Sequence, residues 1–118
     1  FFIKDLTFQQ LEKYKIDKRW SWAKLDTLVE QFPDATISID IKSNEALDPF
    51  IEWAKNRDLS NYVVGSFSSK RTIAFRRAYP NARTALTAVE ILAINLGLCW
   101  MLERFPGSKV AMDHAFPS

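Results

Sequence analysis

From residue 36 onward, short runs rich in β-branched residues alternate with segments of helical spacing. That order restricts the fold more than any other feature. Strand, helix, strand, helix implies parallel strands joined by right-handed crossovers, which is an α/β fold. The expected strands are Thr36–Lys42, Tyr62–Ser68, Ala82–Leu86 and Lys109–His114. Helices are expected between them. One follows Asp48-Pro49, an N-cap with proline at the first helical position, and runs to about Arg57. The next is "SKRTIAFRRAY", capped by Ser68 or Ser69 and stopped before Pro80. The third opens on the capping box Thr87-Ala-Val-Glu90, runs to about Phe105, and closes at Pro106-Gly107.

Ahead of this pattern, Thr7-Phe-Gln-Gln10 is another capping box, with Leu6, Leu11 and Tyr14 marking a short helix. Residues 18–23, "KRWSWA", read as irregular. Leu25, Leu28, Val29 and Phe32 lie at helical spacing, and Pro33-Asp34 ends that helix. No linker or low-complexity segment interrupts the 118 residues, so residues 1–118 read as a single domain.

Two α/β architectures fit: an open doubly wound sheet, or part of a (β/α)8 barrel, which takes about 250 residues when complete. The strand "ISIDIK", Ile37 to Lys42, bears on the choice. Its isoleucines occupy one face; Ser38, Asp40 and Lys42 occupy the other. A central strand of an open sheet is apolar on both faces. A barrel strand has one face toward helices and one toward the interior, with chemistry at its C-terminal end. Asp40 and Lys42 stand about 6 to 7 Å apart on that polar face. An inward carboxylate is costly unless paired or metal-bound. Spacing alone leaves open a functional site, a structural ion pair at a strand end, or two side chains that face solvent.

Composition narrows the function classes. The chain is 47% hydrophobic and 14% aromatic, enough for a packed core. Sixteen basic residues balance 14 acidic ones to a net charge of +2. The doublets Lys18-Arg19, Lys70-Arg71 and Arg76-Arg77 read as solvated surface, with an anion contact as the alternative, and nucleic-acid binding is not indicated. Three glycines without a cluster speak against a phosphate-cradling loop. Cys99 is the sole cysteine, which excludes an internal disulfide and fits a reducing, cytoplasmic setting. Its apolar neighbours point to a buried, inert thiol. The apolar run Ala88–Leu102 is shorter than the roughly 18 to 20 residues of a membrane span. It reads as a buried helix; in a partial barrel an apolar helix of that kind covers an open edge or meets a partner chain, and otherwise it is ordinary core. A start at Phe-Phe-Ile, without Met or signal peptide, reads as internal to a longer gene product.

The ordered segments "IKDLTFQQLEKY", "WSWAKLDTLVEQFPD", "FPDATISIDIK", "YVVGSFS" and "RRAYPNARTAL" resemble the middle of the glycerophosphodiester phosphodiesterase family, over residues 3–86. The resemblance implies a partial TIM (β/α)8 barrel with about four parallel strands alternating with helices. It lacks the N-terminal catalytic strands and the C-terminal strand. It implies an enzyme of lipid metabolism, a phosphoric diester hydrolase that cleaves glycerophosphodiesters to an alcohol and glycerol 3-phosphate with Ca²⁺ or Mg²⁺. By that resemblance Asp40 is a metal ligand, with Asp in place of the family's Glu. Lys42 is the motif lysine that neutralises phosphate charge, and Ser66 and Phe67 line the substrate pocket. The family's His-Arg-Gly strand end, Glu-Asn-Thr turn, Glu-x-Asp metal pair, His-Asp strand and late Trp-Thr strand have no counterpart here.

The family's two catalytic histidines are therefore missing, and the lone His114, on the last expected strand, reads as structural or solvated. Asp113 and His114 are adjacent strand positions and point to opposite faces, which argues against a base–orienter pair. Trp20 and Trp22 precede the Asp40 strand by one helix and are the better pocket candidates, against the ordinary packing role of large aromatics. The chain by itself is expected to be inactive, because one carboxylate cannot cage a hard cation and no general base is present. Exposed barrel edges would favour self-association. The alternative is a non-catalytic α/β interaction or regulatory module, with Asp40 and Lys42 as a structural ion pair.

Overall fold

The computed structural model describes residues 2–15, 17 and 19–115. The chain divides into two compact units, Phe1–Ala35 and Thr36–Ser118.

In the first unit a 3-10 turn, Ile3–Asp5, precedes α1, Phe8–Leu11. Both halves of the Thr7/Gln10 capping box form. The Thr7 hydroxyl accepts from the Gln10 amide at 3.3 Å, and the Gln10 side chain accepts from the Thr7 amide at 2.8 Å. The α2 helix, Leu25–Gln31, buries Val29. The Trp22 indole N–H donates to the Tyr14 carbonyl at 2.8 Å, and Lys24 Nζ lies 4.5 Å from the centre of the Phe8 ring. Of the Lys18-Arg19 doublet, Lys18 lies outside the described residues and Arg19 is exposed.

The second unit is built on β1, Ile37–Asp40, and β2, Tyr62–Gly65, which pair in parallel with Ile39 opposite Val64 and Asp40 opposite Gly65. The crossover between them is α3, Leu47–Ala54, and α4, Ser69–Ala78, follows β2. Ile41 and Val64 on the sheet pack with Ala54 of α3 and Phe75 of α4 as the core. Aromatic rings extend it: Phe50 stacks on Trp53 with centroids 5.5 Å apart and also meets Phe75. The Tyr79 hydroxyl donates to the Ile51 carbonyl at 2.7 Å and ties the end of α4 to α3. Ile41, one residue past β1, thus meets helices, Ile37 and Ile39 are half-buried with Ile39 lining a cavity, and Ser38, Asp40 and Lys42 stay exposed.

The mixed α/β class and the parallel pairing hold. Several expected elements take a different form. The α3 helix starts at Leu47, one residue before the expected cap, and Asp48 sits in its first turn. The segment Ala82–Leu86 contributes one parallel bridge, Thr84 to Val64, flanked by the Val64–Arg83 and Ala85–Val64 backbone bonds.

The long apolar helix is cut in two. The α5 helix covers Ala88–Asn95, and a 3-10 segment covers Cys99–Arg104. The break is a Schellman motif at Gly97, whose φ is +70°. The Gly97 amide bonds the Ile94 carbonyl at 3.0 Å, and the Leu98 amide bonds the Ala93 carbonyl at 2.8 Å. Cys99 is exposed, not buried, because it follows this break and leaves the packed face.

The expected last strand, Lys109–His114, is instead helical, within α6, Ser108–Ala115. Val110 is its sole β-branched residue, while Lys, Ala and Met favour helix, and Ser108 and Ala111 face inward at helical spacing. The expected trailing residues 116–118 lie outside the described residues.

Candidate functional site

Parallel pairing puts the C-terminal ends of β1 and β2 side by side. Asp40 closes β1, and Lys42 follows two residues later. Ser66 and Phe67 follow β2 directly. The four residues named by the sequence therefore gather at one rim. A cavity of about 350 Å³ opens beside them, lined by Ser38, Asp40, Gly65, Ser66, Phe67 and, from α5, Ile91. Gly65 keeps its floor low: a Cβ there would stand 3.0 Å from the Ala85 Cβ.

Each side chain at the rim has a definite state. Lys42 Nζ is bonded to Asp40 Oδ2, and the pair is open to water, the side chains being 71% and 41% exposed respectively. Lys42 Nζ also lies 5.1 Å from the Phe67 ring centre. Phe67 is 88% exposed, so it contributes almost nothing to the core and is free to act as a wall.

Ser66 is held fast. Its hydroxyl donates to the Ile41 carbonyl at 2.7 Å and accepts from the Ser68 amide at 3.2 Å and from Arg71 Nε at 2.8 Å. Those bonds use the donor and both lone pairs, so a ligand would reach Ser66 Oγ only by displacing one of them. Arg71, which sequence reasoning passed over as a surface doublet with Lys70, reaches on to Asn44 Oδ1 at 3.0 Å.

As a metal centre the donor set does not suffice. Ca²⁺ takes six to eight oxygen ligands and Mg²⁺ an octahedron. Asp40 supplies one carboxylate, already bonded to an ammonium. Among the described residues no three His, Cys, Asp or Glu side chains gather to hold a metal ion. His114 and Asp113 are exposed on α6, and neither lines the cavity at the Asp40 rim. Trp20 is 66% exposed, and the Trp22 indole is bonded within residues 1–35.

A second ion pair was not legible as one. Arg76, expected at the surface, is 1% exposed, and so is Glu90. The guanidinium meets both carboxylate oxygens, Nη1 to Oε1 at 2.6 Å and Nη2 to Oε2 at 3.1 Å. Nε donates to Thr84 Oγ1 at 2.8 Å, and the remaining N–H groups reach the Ala85 and Pro106 carbonyls at 3.1 and 3.3 Å. All the guanidinium donors are thereby used. Glu90 further accepts from the Ser108 hydroxyl and from the Thr87 amide, the latter at 2.6 Å, completing the capping box. Burial pushes the Glu90 carboxyl up. Hydrogen bonds from Arg76, Ser108 and Thr87, with the Arg76 charge, outweigh it and hold the carboxyl below its ordinary value. The signal was the helical register: Thr72, Phe75, Arg76 and Tyr79 share one face of α4.

No protein-family model matches the chain, and no curated protein or solved structure matches it either. Among the described residues no helix is long and apolar enough to cross a membrane.

Proposed function

We propose that the chain is the central part of a metal-dependent glycerophosphodiester phosphodiesterase of the (β/α)8 type, acting within a longer protein. The observation that supports this most is the gathering of Asp40, Ser66 and Phe67 on one cavity at the C-terminal ends of neighbouring parallel strands, with Lys42 bonded to Asp40 beside it. Barrel enzymes build their sites at that end. The edge of β1 away from β2 bears no strand among the described residues, which leaves a place for preceding strands.

In this reading Asp40 is one oxygen ligand to a Ca²⁺ or Mg²⁺ ion whose other ligands and whose acid–base groups come from elsewhere in the longer protein. The cation would neutralise phosphate charge. Lys42 adds a second positive group and exchanges its bond to Asp40 for one to a phosphate oxygen. Phe67 forms an apolar wall for the glycerol or alcohol portion. The 118-residue chain alone is inactive. Self-association through uncovered strand edges belongs to the same proposal.

The bond between Lys42 and Asp40 favours one other reading, a non-catalytic interaction module in which that pair is structural. Asp40→Asn in the longer protein separates the two. The enzyme reading expects Ca²⁺ or Mg²⁺ affinity and glycerophosphocholine hydrolysis to be lost with the fold retained. The module reading expects neither in the wild type and a small stability change in the variant.

A further inference from the structure

We infer that Arg71 is a positioning residue for the rim that carries Asp40, Lys42 and Phe67, acting through Ser66 and Asn44 and not on substrate. Beyond Asp40, β1 has no regular ladder, yet the chain there is not loose. The Ile41 amide bonds the Gly65 carbonyl at 2.9 Å, and the Ile41 carbonyl accepts from Ser66 Oγ at 2.7 Å. A side-chain hydroxyl thus extends the pairing of the two strands by one residue, immediately before Lys42. That hydroxyl is oriented by what it accepts. Arg71 Nε at 2.8 Å and the Ser68 amide at 3.2 Å take its lone pairs and leave its proton for Ile41.

The same guanidinium holds Asn44 Oδ1 at 3.0 Å, two residues past Lys42. Lys42 is therefore bracketed, by Ile41 before it and Asn44 after it. Phe67 is bracketed likewise, between Ser66 and Ser68. Only a planar fork with two separated donors reaches Ser66 and Asn44 together, so lysine is not a substitute. Arg71 arises from the first turn of α4, which the Phe75 core contact anchors. The clamp thereby refers both rim loops to one rigid helix.

The catalytic consequence rests on the phosphodiesterase reading; the positioning itself does not. The test compares Arg71→Lys and Arg71→Met with the wild type by amide hydrogen exchange in the 118-residue chain and by steady-state hydrolysis of glycerophosphocholine in the longer protein. Both variants are expected to speed exchange of the Ile41 and Ser68 amides about tenfold. The Val64 and Tyr79 amides, bonded to Arg83 and Phe75, serve as unchanged references. In the longer enzyme kcat falls about tenfold with KM within about twofold.

Wild-type behaviour of Arg71→Lys would overturn the inference, since charge alone would then suffice. So would unchanged exchange at Ile41 and Ser68, or equal acceleration at Val64 and Tyr79. If the wild-type longer protein does not hydrolyse the substrate while exchange loosens at the rim alone, the positioning role stands and the phosphodiesterase reading falls.

Discussion

Two acid–base pairs in the second unit of this chain stand in opposite settings. Arg76 and Glu90 are each 1% exposed, joined through both carboxylate oxygens, and enclosed by Thr84, Thr87, Ser108 and two backbone carbonyls. Lys42 and Asp40 stand in water at the end of a strand, joined by one bond, with room for a ligand beside them. The buried pair ties α4, the segment after it, α5 and the start of α6 into one body. The open pair holds no elements together. The contrast separates two uses of charge. Buried charge that is fully hydrogen-bonded fixes structure, and its removal from one side leaves an uncompensated ion. Exposed charge contributes little to stability and remains available for binding.

The comparison breaks most readily at Glu90. Glu90→Ala leaves Arg76 buried without its counter-charge, and we expect a loss of about 3 to 5 kcal/mol, read as a lower urea midpoint or an unfolded chain. A variant with near wild-type stability would show that the pair is dispensable. Next comes Gly107→Ala. Gly107 has φ of +70°, and a Cβ there would stand 2.6 Å from Arg76 Cδ. Backbone strain with displacement of the arginine should cost about 1 to 3 kcal/mol in the same measurement.

Proton linkage sharpens the contrast further. The folded Glu90 carboxyl lies below its ordinary value, so the folded state binds fewer protons than the unfolded one as the pH is lowered. The stability it contributes is complete above about pH 4.5, the ordinary range of a glutamate, and is lost as pH falls through the lowered folded value. Thermal unfolding followed from neutral to acidic pH should show that loss, and Glu90→Gln should remove its Glu90 part. The smallest effect belongs to the open pair: Asp40→Asn should alter unfolding free energy by less than about 1 kcal/mol.

Local chemistry made parts of this arrangement readable in the sequence. The alternation in "ISIDIK" foretells which of residues 37–42 are shielded and which are exposed, because strand geometry sends neighbours to opposite faces. Thr7 and Thr87 announce their helices through capping boxes that need no tertiary partner. The gathering of Asp40 and Lys42 with Ser66 and Phe67 follows from parallel pairing of two strands that were both identified. What stayed hidden depends on distant chain. Arg76 resembles its exposed neighbour Arg77 until α5 and α6 supply the groups that bury it. Lys109–His114 reads as the last strand of the alternating pattern, although its residues favour helix. Gly97 ends α5 through φ of +70°, a break masked by the apolar residues on either side. Arg71 carries no sequence mark of its role, since Ser66 and Asn44 come from different loops.

The most direct test joins both halves of the contrast in one variant. Lys42→Met in the longer protein is assayed for urea unfolding and for glycerophosphocholine hydrolysis together. The account predicts stability within about 1 kcal/mol of wild type and hydrolysis reduced at least about 100-fold. Full hydrolysis in the variant, or none in the wild type, would contradict the assignment of chemistry to the open rim.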